Sequence, residues 1–289
     1  MLGAIIGDMV GSVYEYSEFL DMMNGTISIE RRKSVLDKSI EELLNEKCFY
    51  SDDTVLTIAI ADAIVNEVPY ADKLREYGLK YINLNNGRKE YFDSSFSPNF
   101  RNWLKVGGQA SSDGNGAGMR VSPVGFLFDD LRQVEQEAMK SAIPSHNNPD
   151  AINGAKAIAQ SVTLARSGAS KQMIKQYISD KYKYNLDIDL DRLRETNIFY
   201  PTCKVTVPQA ISAFLQSNGF EDAIKKAISI GGDTDTIACM TGAIAEAYYG
   251  IPQNIKKCIT NYDMPDEFLD ILKEAYRLVT PTSLVDSTY

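Results

Sequence analysis

The stretch TIACMTGAIAEAYY, residues 236–249, decides the fold. It is rich in Ala, Ile and Met and is apolar on nearly all sides, which is typical of a helix buried in a core. Gly250 follows it directly and Pro252 stands two residues further on, an order that marks the end of a helix. We therefore predict a helix over residues 236–249 at the centre of the hydrophobic core.

Outward from this segment, helical periodicity dominates the chain. Apolar side chains recur at helical spacing over residues 55–63 and 151–165, whereas runs with a two-residue period are scarce. Residues 85–123 and 182–205 lack either pattern and predict two long irregular segments, which in a compact domain are usually functional or disordered. The sequence predicts an all-α fold. Its 289 residues fit one large domain, residues 1–289, because no linker interrupts them.

The charge balance argues against nucleic acid as the main partner. The formal net charge is −9, and no stripe of Lys and Arg is present that could neutralise a phosphate backbone. The short run Arg31-Arg32-Lys33 is bracketed by Glu30 and Asp37, which predicts a solvated helix face.

Cysteine spacing and the N-terminal segment indicate a cytoplasmic protein. The four cysteines lack the spacing of a zinc knuckle or redox motif and are interpreted as reduced thiols. The apolar run over residues 1–13 is interrupted by Asp8 and has no basic flank, unlike a signal peptide. No run approaches the roughly 18 apolar residues of a membrane span.

Two acidic clusters each precede a strongly apolar helical segment. They are Ser51-Asp52-Asp53-Thr54 and Asp233-Thr234-Asp235-Thr236. Adjacent carboxylates in mid-helix point about 100° apart, but at a helix start they can converge on one ion. Each cluster alone is typical of ordinary N-capping. The duplication, together with Gly231-Gly232 before the second cluster, favours a two-metal site of hard oxygen ligands.

A third acidic pattern does not fit a metal site. Asp187, Asp189 and Asp191 have the spacing that begins an EF-hand loop. The sixth position is Arg192 where glycine is needed, and the twelfth is Ile198 where a bidentate Glu is needed. We interpret this segment as a solvated turn.

The remaining candidate features are a glycine-rich loop and one histidine. The loop over residues 113–120 could present backbone N–H groups to phosphates, although it is neither a P-loop nor a GxGxxG motif. His146 is the only histidine, which excludes a two-His zinc site. Its position before Asn147-Asn148-Pro149-Asp150 fits helix capping and ligand contact equally well. Covalent Ser or Cys catalysis has no supporting motif.

Taken in order, these segments resemble the ADP-ribosylglycohydrolase family, which includes the dinitrogenase reductase-activating glycohydrolase. The match runs from residue 3 to about residue 252. It is carried by the segments Gly3-Ala4-Ile5-Ile6-Gly7-Asp8, Gly11-Ser12-Val13-Tyr14-Glu15, Ser51-Asp52-Asp53-Thr54, Asn115-Gly116-Ala117-Gly118-Met119-Arg120-Val121, Ser145-His146-Asn147, Asn153-Gly154-Ala155 and Gly231-Gly232-Asp233-Thr234-Asp235-Thr236.

The resemblance implies a single compact domain of orthogonal helices, with two Mg²⁺ ions, or Mn²⁺ in their place, in a central cleft. The implied metal ligands are Ser51, Asp52, Asp53, Asp233, Asp235 and Thr236. The implied catalytic carboxylates are Glu15, Asp53 and Asp233. The implied substrate-binding residues are Ser112, Asp113, Gly114, Asn115, Gly116, Met119 and His146.

Two positions depart from the family pattern. Ser51 stands where the family usually has Thr, and it keeps the hydroxyl ligand. Asp113 stands where some relatives have an aromatic residue, so the contact to adenine stays open. An anionic side chain beside a diphosphate is unfavourable unless it points away.

The function that the resemblance implies is hydrolysis of the glycosidic bond between ADP-ribose and a modified target. The partner would be an ADP-ribosylated protein or a small ADP-ribosyl conjugate, and we expect a monomer. An arginine linkage is the first hypothesis, because an acidic protein attracts a guanidinium and a guanidinium is a good leaving group. A serine-linked or other O-linked conjugate, a non-enzymatic ADP-ribose binder and a metal-dependent phosphohydrolase remain as alternatives.

Overall fold

The computed structural model describes residues 1–84, 94–259, 262 and 264–279. Over these residues the chain is helical, and its extended contacts are two isolated bridges, Ser111 with His146 and Gly114 with Thr202. The helices are α1 Leu2–Asn24, α2 Ile29–Ser34, α3 Ile40–Leu43, α4 Asp52–Val65, α5 Tyr70–Lys80, α6 Pro98–Val106, α7 Gly116–Met119, α8 Ser122–Leu127, α9 Leu131–His146, α10 Pro149–Arg166, α11 Lys171–Tyr182, α12 Leu190–Thr196, α13 Cys203–Leu215, α14 Phe220–Ser229, α15 Thr234–Tyr249, α16 Gln253–Ile259 and α17 Asp266–Leu278. The all-α prediction is confirmed.

Helix α15 lies at the centre of the core, as its sequence predicts. Its residues are buried without interruption from Thr234 to Glu246, and it packs against α1, α10, α13 and α14. The helix begins two residues before the predicted start and ends at Gly250, which has φ 72°.

The closest helix contact in the core joins α1 to α15. Gly3, Gly7 and Gly11 follow one another at four-residue spacing along the α1 face that meets α15. A Cβ atom on Gly7 would lie 2.0 Å from the carbonyl oxygen of Ala238. The absence of side chains at these positions therefore lets the two backbones touch and brings the middle of α1 to the start of α15.

The prediction of two long irregular segments is wrong in part. The described portion of residues 85–123 contains the short helices α6, α7 and α8, while residues 85–93 lie outside the described residues. Residues 182–205 contain α12 and the beginning of α13. These helices contribute two to nine residues each to the two segments, which is too few for a helical period to be evident. Local capping explains α6, where the Ser97 side chain accepts a hydrogen bond from the N–H of Phe100.

Three helix segments meet where the candidate site lies. The middle of α1 packs against the starts of both α4 and α15, and α4 also contacts α15. In the described part of the chain, no helix combines the length and apolar character needed to cross a bilayer.

Candidate active site

The start of α4 is held by a buried carboxylate from α1. Ser51 caps the helix, and its hydroxyl oxygen accepts a hydrogen bond from the N–H of Asp53 at 3.1 Å. Oδ2 of Asp8 accepts three hydrogen bonds: from the N–H of Ser51 at 2.9 Å, the N–H of Thr54 at 3.1 Å and the hydroxyl of Thr54 at 2.5 Å. Asp8 therefore fixes the direction in which the first turn of α4 presents its carboxylates.

The start of α15 is shaped by two glycines in the left-handed region. Gly231 and Gly232 have φ values of 70° and 81°, which side-chain-bearing residues rarely adopt. Asp233 follows as the N-cap, and the hydroxyl of Thr234 donates a hydrogen bond to the carbonyl oxygen of Gly11 at 3.0 Å. This turn places Asp233 and Asp235 beside α1.

The carboxylates of the three segments converge. One oxygen from each of Glu15, Asp233 and Asp235 lies within 4.8 Å of the other two. The hydroxyl of Thr236 donates a hydrogen bond to Oδ2 of Asp53 at 3.2 Å, which joins the start of α15 to the start of α4. The two acidic helix starts that the sequence singles out therefore form one cluster.

Burial makes this acidic cluster electrostatically costly. Loss of hydration raises the pKa values of Asp52, Asp53 and Asp235 well above the usual range, and repulsion from neighbouring carboxylates adds to the rise. Burial also raises the pKa of Asp233, and it raises the pKa of Asp8 to about 6 against the opposing effect of its hydrogen bonds. Such a cluster holds protons unless a cation balances its charge.

The donor set fits a divalent cation. Oδ1 of Asp53 is buried and has no hydrogen-bond partner among the described residues, so one lone pair of this carboxylate is available for an ion. The surrounding donors are carboxylate and hydroxyl oxygens, the hard ligands that Mg²⁺, Mn²⁺ and Ca²⁺ prefer. Asp52, in the same turn, is partly exposed. The cluster could therefore hold a metal ion reachable from solvent.

The glycine-rich loop lies beside this cluster. The side-chain amide of Asn115 donates a hydrogen bond to Oδ2 of Asp233 at 2.6 Å. Within the loop, the N–H of Gly114 donates to the Ser112 hydroxyl at 3.1 Å. Asp113 is exposed, and its carbonyl oxygen accepts a hydrogen bond from the N–H of Cys203 at 3.1 Å. The loop is thus tied to the acidic cluster at one end and to the start of α13 at the other.

Of the other two predicted substrate-binding residues, His146 lies against the loop and Met119 belongs to it. His146 ends α9, is 6% exposed and faces Gly116: a Cβ atom on Gly116 would lie 2.9 Å from its Nε2. Met119 is 4% exposed, and its carbonyl oxygen accepts a hydrogen bond from Sγ of Cys239. Asn148 caps α10, so the predicted capping role belongs to Asn148, and His146 stands near the loop.

The prediction of a solvated helix face at Arg31-Arg32-Lys33 is wrong for Arg32. Its side chain is 2% exposed and forms an ion pair with Glu18, which is equally buried. Its guanidinium also donates hydrogen bonds to the carbonyl oxygens of Arg194 at 2.7 Å and Asn197 at 2.9 Å. Glu18 belongs to α1 and Arg32 to α2, so the charge pattern around residues 31–33 does not reveal this ion pair.

This buried ion pair supports the turn before Asp233. A Cβ atom on Gly231 would lie 2.1 Å from the guanidinium carbon of Arg32, so the backbone passes directly over that group. Glu18 accepts a hydrogen bond from the N–H of Gly232 at 3.3 Å. Glu18 and Arg32 are therefore site-supporting residues that the sequence analysis missed.

Asp8 is the other missed residue. It is fully buried and is hydrogen-bonded to both Ser51 and Thr54. The available signal is the single carboxylate within the apolar run over residues 1–13, since a charge there requires partners. From the sequence, Asp8 was recognised only as an interruption of the apolar run and as part of a family segment, without a role in the site.

The helical scaffold, with its buried cluster of carboxylates beside a glycine-rich loop, places the protein in the class of all-α proteins with an acidic candidate site. The chain belongs to the ADP-ribosylglycohydrolase family, whose model matches residues 1–283. This membership makes it a hydrolase that acts on ADP-ribose linkages. It also removes the phosphohydrolase and the non-enzymatic binder as leading alternatives.

Three relatives illustrate the similarity. ADP-ribosylhydrolase ARH3 of Bos taurus is 26% identical, with 96% of this chain and 92% of that protein covered. ADP-ribosylhydrolase ARH3 of Homo sapiens is 25% identical over the same shares. ADP-ribosylarginine hydrolase Tri1 of Pseudomonas putida is 25% identical, with 87% of this chain and 70% of that protein covered.

The fold is also similar to that of a solved structure. This structure is described as an ADP-ribosylglycohydrolase-related protein complex, and it superposes with a TM-score of 0.57. The match covers 80% of this chain and 82% of the other, at 22% sequence identity. This likeness supports the assignment of the fold.

Proposed function

We propose that this enzyme removes ADP-ribose from ADP-ribosylated arginine in proteins, with two Mg²⁺ ions, or Mn²⁺ in their place, as cofactors. The observation that carries the proposal is the convergence of Asp233 and Asp235 on Glu15, beside the loop over residues 112–116. The second acidic helix start joins them through the hydrogen bond from Thr236 to Asp53. The target would be a modified protein or a small ADP-ribosyl conjugate. We expect the enzyme to act as a monomer in the cytoplasm.

The proposed ion-binding residues are those of the two helix starts. They are Ser51, Asp52, Asp53, Asp233, Asp235 and Thr236. When bound, divalent ions supply positive charge that binds and orients the hydroxyl groups of the distal ribose. Positioning of this kind accounts for a large part of the lowering of an activation barrier.

The chain's own carboxylates would perform the bond cleavage. Glu15 lies near Asp233 and Asp235 and is half-buried, so its carboxylate is also accessible to a substrate. In the proposed step, Glu15 accepts a proton from a water molecule while the water oxygen bonds to the anomeric carbon. The bond from that carbon to the guanidine nitrogen breaks, and the guanidine leaves with the electron pair and takes up a proton. The neighbouring negative charges of Asp53 and Asp233 stabilise the oxocarbenium-like transition state.

The glycine-rich loop is proposed to bind the diphosphate. Residues Ser112, Gly114 and Gly116 offer a short hydroxyl and backbone without side chains, which permits close approach of a ligand. The exposed side chain of Asp113 need not point at the phosphates. Asn115 joins this subsite to Asp233, so binding of the diphosphate would place the distal ribose at the carboxylates.

Two considerations support an arginine linkage. A net charge of −9 attracts a guanidinium-bearing target. One relative is named as an ADP-ribosylarginine hydrolase. A serine linkage is the second candidate, because Gly11-Ser12-Val13-Tyr14-Glu15 resembles the catalytic segment of the serine-specific branch of the family.

Release of ADP-ribose from two matched peptides tests the proposal. One peptide carries ADP-ribose on arginine and the other on serine, and each is incubated with Mg²⁺ or with a chelator. We expect Mg²⁺-dependent release from the arginine peptide. Release from the serine peptide alone would overturn the arginine linkage but not ADP-ribose hydrolysis, and undiminished release in chelator would overturn metal dependence.

A further inference from the structure

Arg120 is a fully buried guanidinium without a carboxylate partner among the described residues. Its exposed fraction is 0%, and it is the last residue of the glycine-rich loop, directly after α7. Nη2 donates hydrogen bonds to the carbonyl oxygen of Ser141 at 3.0 Å and to the hydroxyl oxygen of Ser145 at 2.8 Å. A guanidinium has no acceptor, so Ser145 must be the acceptor in this contact.

This contact determines where the hydroxyl proton of Ser145 goes. Oγ of Ser145 has a second partner, Nδ1 of His146, at 2.8 Å. Ser145 is 2% exposed, and its hydroxyl carries a single proton. If Nδ1 also carried a proton, the buried hydroxyl would have two donors and no acceptor, which is unfavourable. The serine therefore donates to Nδ1, and the imidazole proton resides on Nε2.

The protonated nitrogen faces the glycine-rich loop. A Cβ atom on Gly116 would lie 2.9 Å from Nε2 of His146, and one on Gly114 would lie 3.6 Å away. None of the described residues is hydrogen-bonded to Nε2. Burial and the nearby charge of Arg120 both lower the pKa of His146 well below its usual value, so the ring is neutral.

We propose that Arg120 and Ser145 are positioning residues that hold His146 as its Nε2–H tautomer, with this N–H donated to the diphosphate of ADP-ribose in the loop over residues 112–116. The tautomer follows from the hydrogen bonds alone, whereas the identity of the ligand rests on the function proposed above. With the opposite tautomer, a nitrogen lone pair would face the phosphate oxygens and repel them. The hydrogen bonds from Arg120 to Ser145 and from Ser145 to His146, called the relay below, thus select an anionic ligand without placing a charge in the loop.

The single histidine makes the tautomer directly measurable. In protein labelled with ¹⁵N-histidine, one imidazole contributes to a long-range ¹H–¹⁵N correlation spectrum. In the ligand-free wild-type protein at neutral pH we expect a protonated Nε2 and an unprotonated Nδ1. A protonated Nδ1 in this sample would overturn the proposal, whatever the enzymatic activity.

Two serine variants on α9 distinguish positioning from general stability. Ser145→Ala removes the relay hydroxyl. Ser141→Ala is the matched control, because its buried hydroxyl donates to the carbonyl oxygen of Ala138 and only its own carbonyl receives Arg120. We expect Ser145→Ala to move the Nδ1 resonance and to weaken ADP-ribose binding roughly three- to tenfold, the effect of one hydrogen bond. Ser141→Ala should leave both unchanged.

Calorimetric titration with ADP-ribose completes the test. Equal ADP-ribose affinities in Ser145→Ala and wild type, with an unchanged Nδ1 resonance, would overturn the positioning role. Failure of the wild-type protein to bind ADP-ribose would overturn the proposed ligand. The tautomer measurement would still show whether Arg120 and Ser145 hold His146 with its proton on Nε2. If Ser145→Ala does not fold, the wild-type spectrum alone decides it.

Discussion

Asp53 is the residue at which the two acidic helix starts meet. Its Oδ2 accepts hydrogen bonds from Thr236 and Ser51, while its buried Oδ1 has no partner in the described part of the chain. We expect Asp53→Asn to abolish divalent-ion binding and to lower turnover by more than the roughly 10- to 100-fold that loss of an outer-shell residue costs. Calorimetry with Mg²⁺ and Mn²⁺ measures the binding, and circular dichroism checks that helical content is retained.

The matched control for this variant is Asp187→Asn. Asp187 is exposed, forms an ion pair with Lys175 and belongs to the acidic segment rejected as a calcium loop. The Asp187→Asn variant should bind divalent ions and turn over substrate like the wild type. Undiminished ion binding by Asp53→Asn would contradict the proposed metal site.

Glu15 is the carboxylate proposed to act on water. It belongs to the middle of α1 and reaches Asp233 and Asp235, yet it is half-buried and so accessible to substrate. Glu15→Gln keeps the size and removes the charge, so kcat should fall at least 100-fold while ADP-ribose affinity changes less than about threefold. Steady-state kinetics and calorimetry with ADP-ribose separate the two effects. Turnover at the parent rate would show that the carboxylate has no catalytic role.

At the scale of helices, the contact of α1 with α15 determines the position of the site. In an isolated helix, replacing glycine by alanine stabilises by about 0.5–1 kcal/mol. At Gly7 the added Cβ would lie 2.0 Å from the carbonyl oxygen of Ala238, a backbone atom that cannot move alone. Overpacking costs typically 1–3 kcal/mol or more, so it outweighs the helix propensity. We expect Gly7→Ala to lower the free energy of unfolding by about 2 kcal/mol and to reduce activity.

Gly219→Ala is the control for this prediction. Its Cβ would meet nothing within 4 Å, and its φ of 177° is extended backbone that any residue adopts. Urea denaturation of the two variants beside the wild type measures both changes. Equal stabilities for Gly7→Ala and wild type would mean that α1 can move away from α15 without cost.

The apolar pattern predicted three long helices, α4, α10 and α15, but not the long helices α1 and α9 or the short helices. Helices α4, α10 and α15 carry at least 14 residues each, enough turns for the apolar pattern to repeat, and each has a recognisable cap or stop. The helices inside the two supposed irregular segments have too few residues to show a period, and tertiary contacts hold them. A repeated apolar pattern with a cap or stop therefore identified part of the core, whereas α1, which contacts α15 through glycines, was not recognised.

In the candidate site, features with a local sequence pattern were predictable, and contacts between helices were not. The acidic clusters were recognisable because carboxylates at helix starts are a local pattern, and the structure brings both together. Asp8 and the pair of Glu18 with Arg32 were missed because their partners lie on other helices. The roles assigned to the metal-binding, catalytic and substrate-binding residues stay predictions that the variants above address.

At the scale of the whole molecule, the prediction that residues 1–289 form one domain is open to a direct test. Helix α15 packs against α1, α10, α13 and α14, so elements from both halves of the chain share one core. Because such a core unfolds as a unit, we expect a single calorimetric transition with equal calorimetric and van't Hoff enthalpies. Two separable transitions would contradict the single-domain prediction.

The acidic cluster also makes stability depend on pH when no metal is bound. The pKa of Asp8 is raised to about 6 by burial, and burial and repulsion raise the pKa values of Asp52, Asp53 and Asp235 well above their usual range. Between the usual carboxyl pKa and these raised values, the folded state holds more protons than the unfolded state. The free energy of unfolding contributed by the cluster therefore falls as pH rises through this window.

Divalent ions reverse this loss, because they bind the deprotonated carboxylates of the folded state. At 100 times its dissociation constant a ligand stabilises by about 2.7 kcal/mol, which corresponds to a shift in Tm of roughly 4–5 °C for a chain of 289 residues. We expect Mg²⁺ to raise Tm by this amount at pH 7.5 and by much less at pH 5. Scanning fluorimetry in Mg²⁺ and in chelator at both pH values measures the difference.

Comparison with Asp53→Asn assigns the effect to the cluster. The lowered pKa values of His146 and of the buried Met1 amino group change stability with pH in the opposite sense, so the wild-type profile alone is a sum. Those two groups are the same in the variant, whereas one buried carboxyl is gone. We expect chelated Asp53→Asn to lose less stability than chelated wild type between pH 5 and 7.5, and to show no increase in Tm with Mg²⁺. Identical pH profiles for the two proteins, or an undiminished response of the variant to Mg²⁺, would place the ion elsewhere in the molecule.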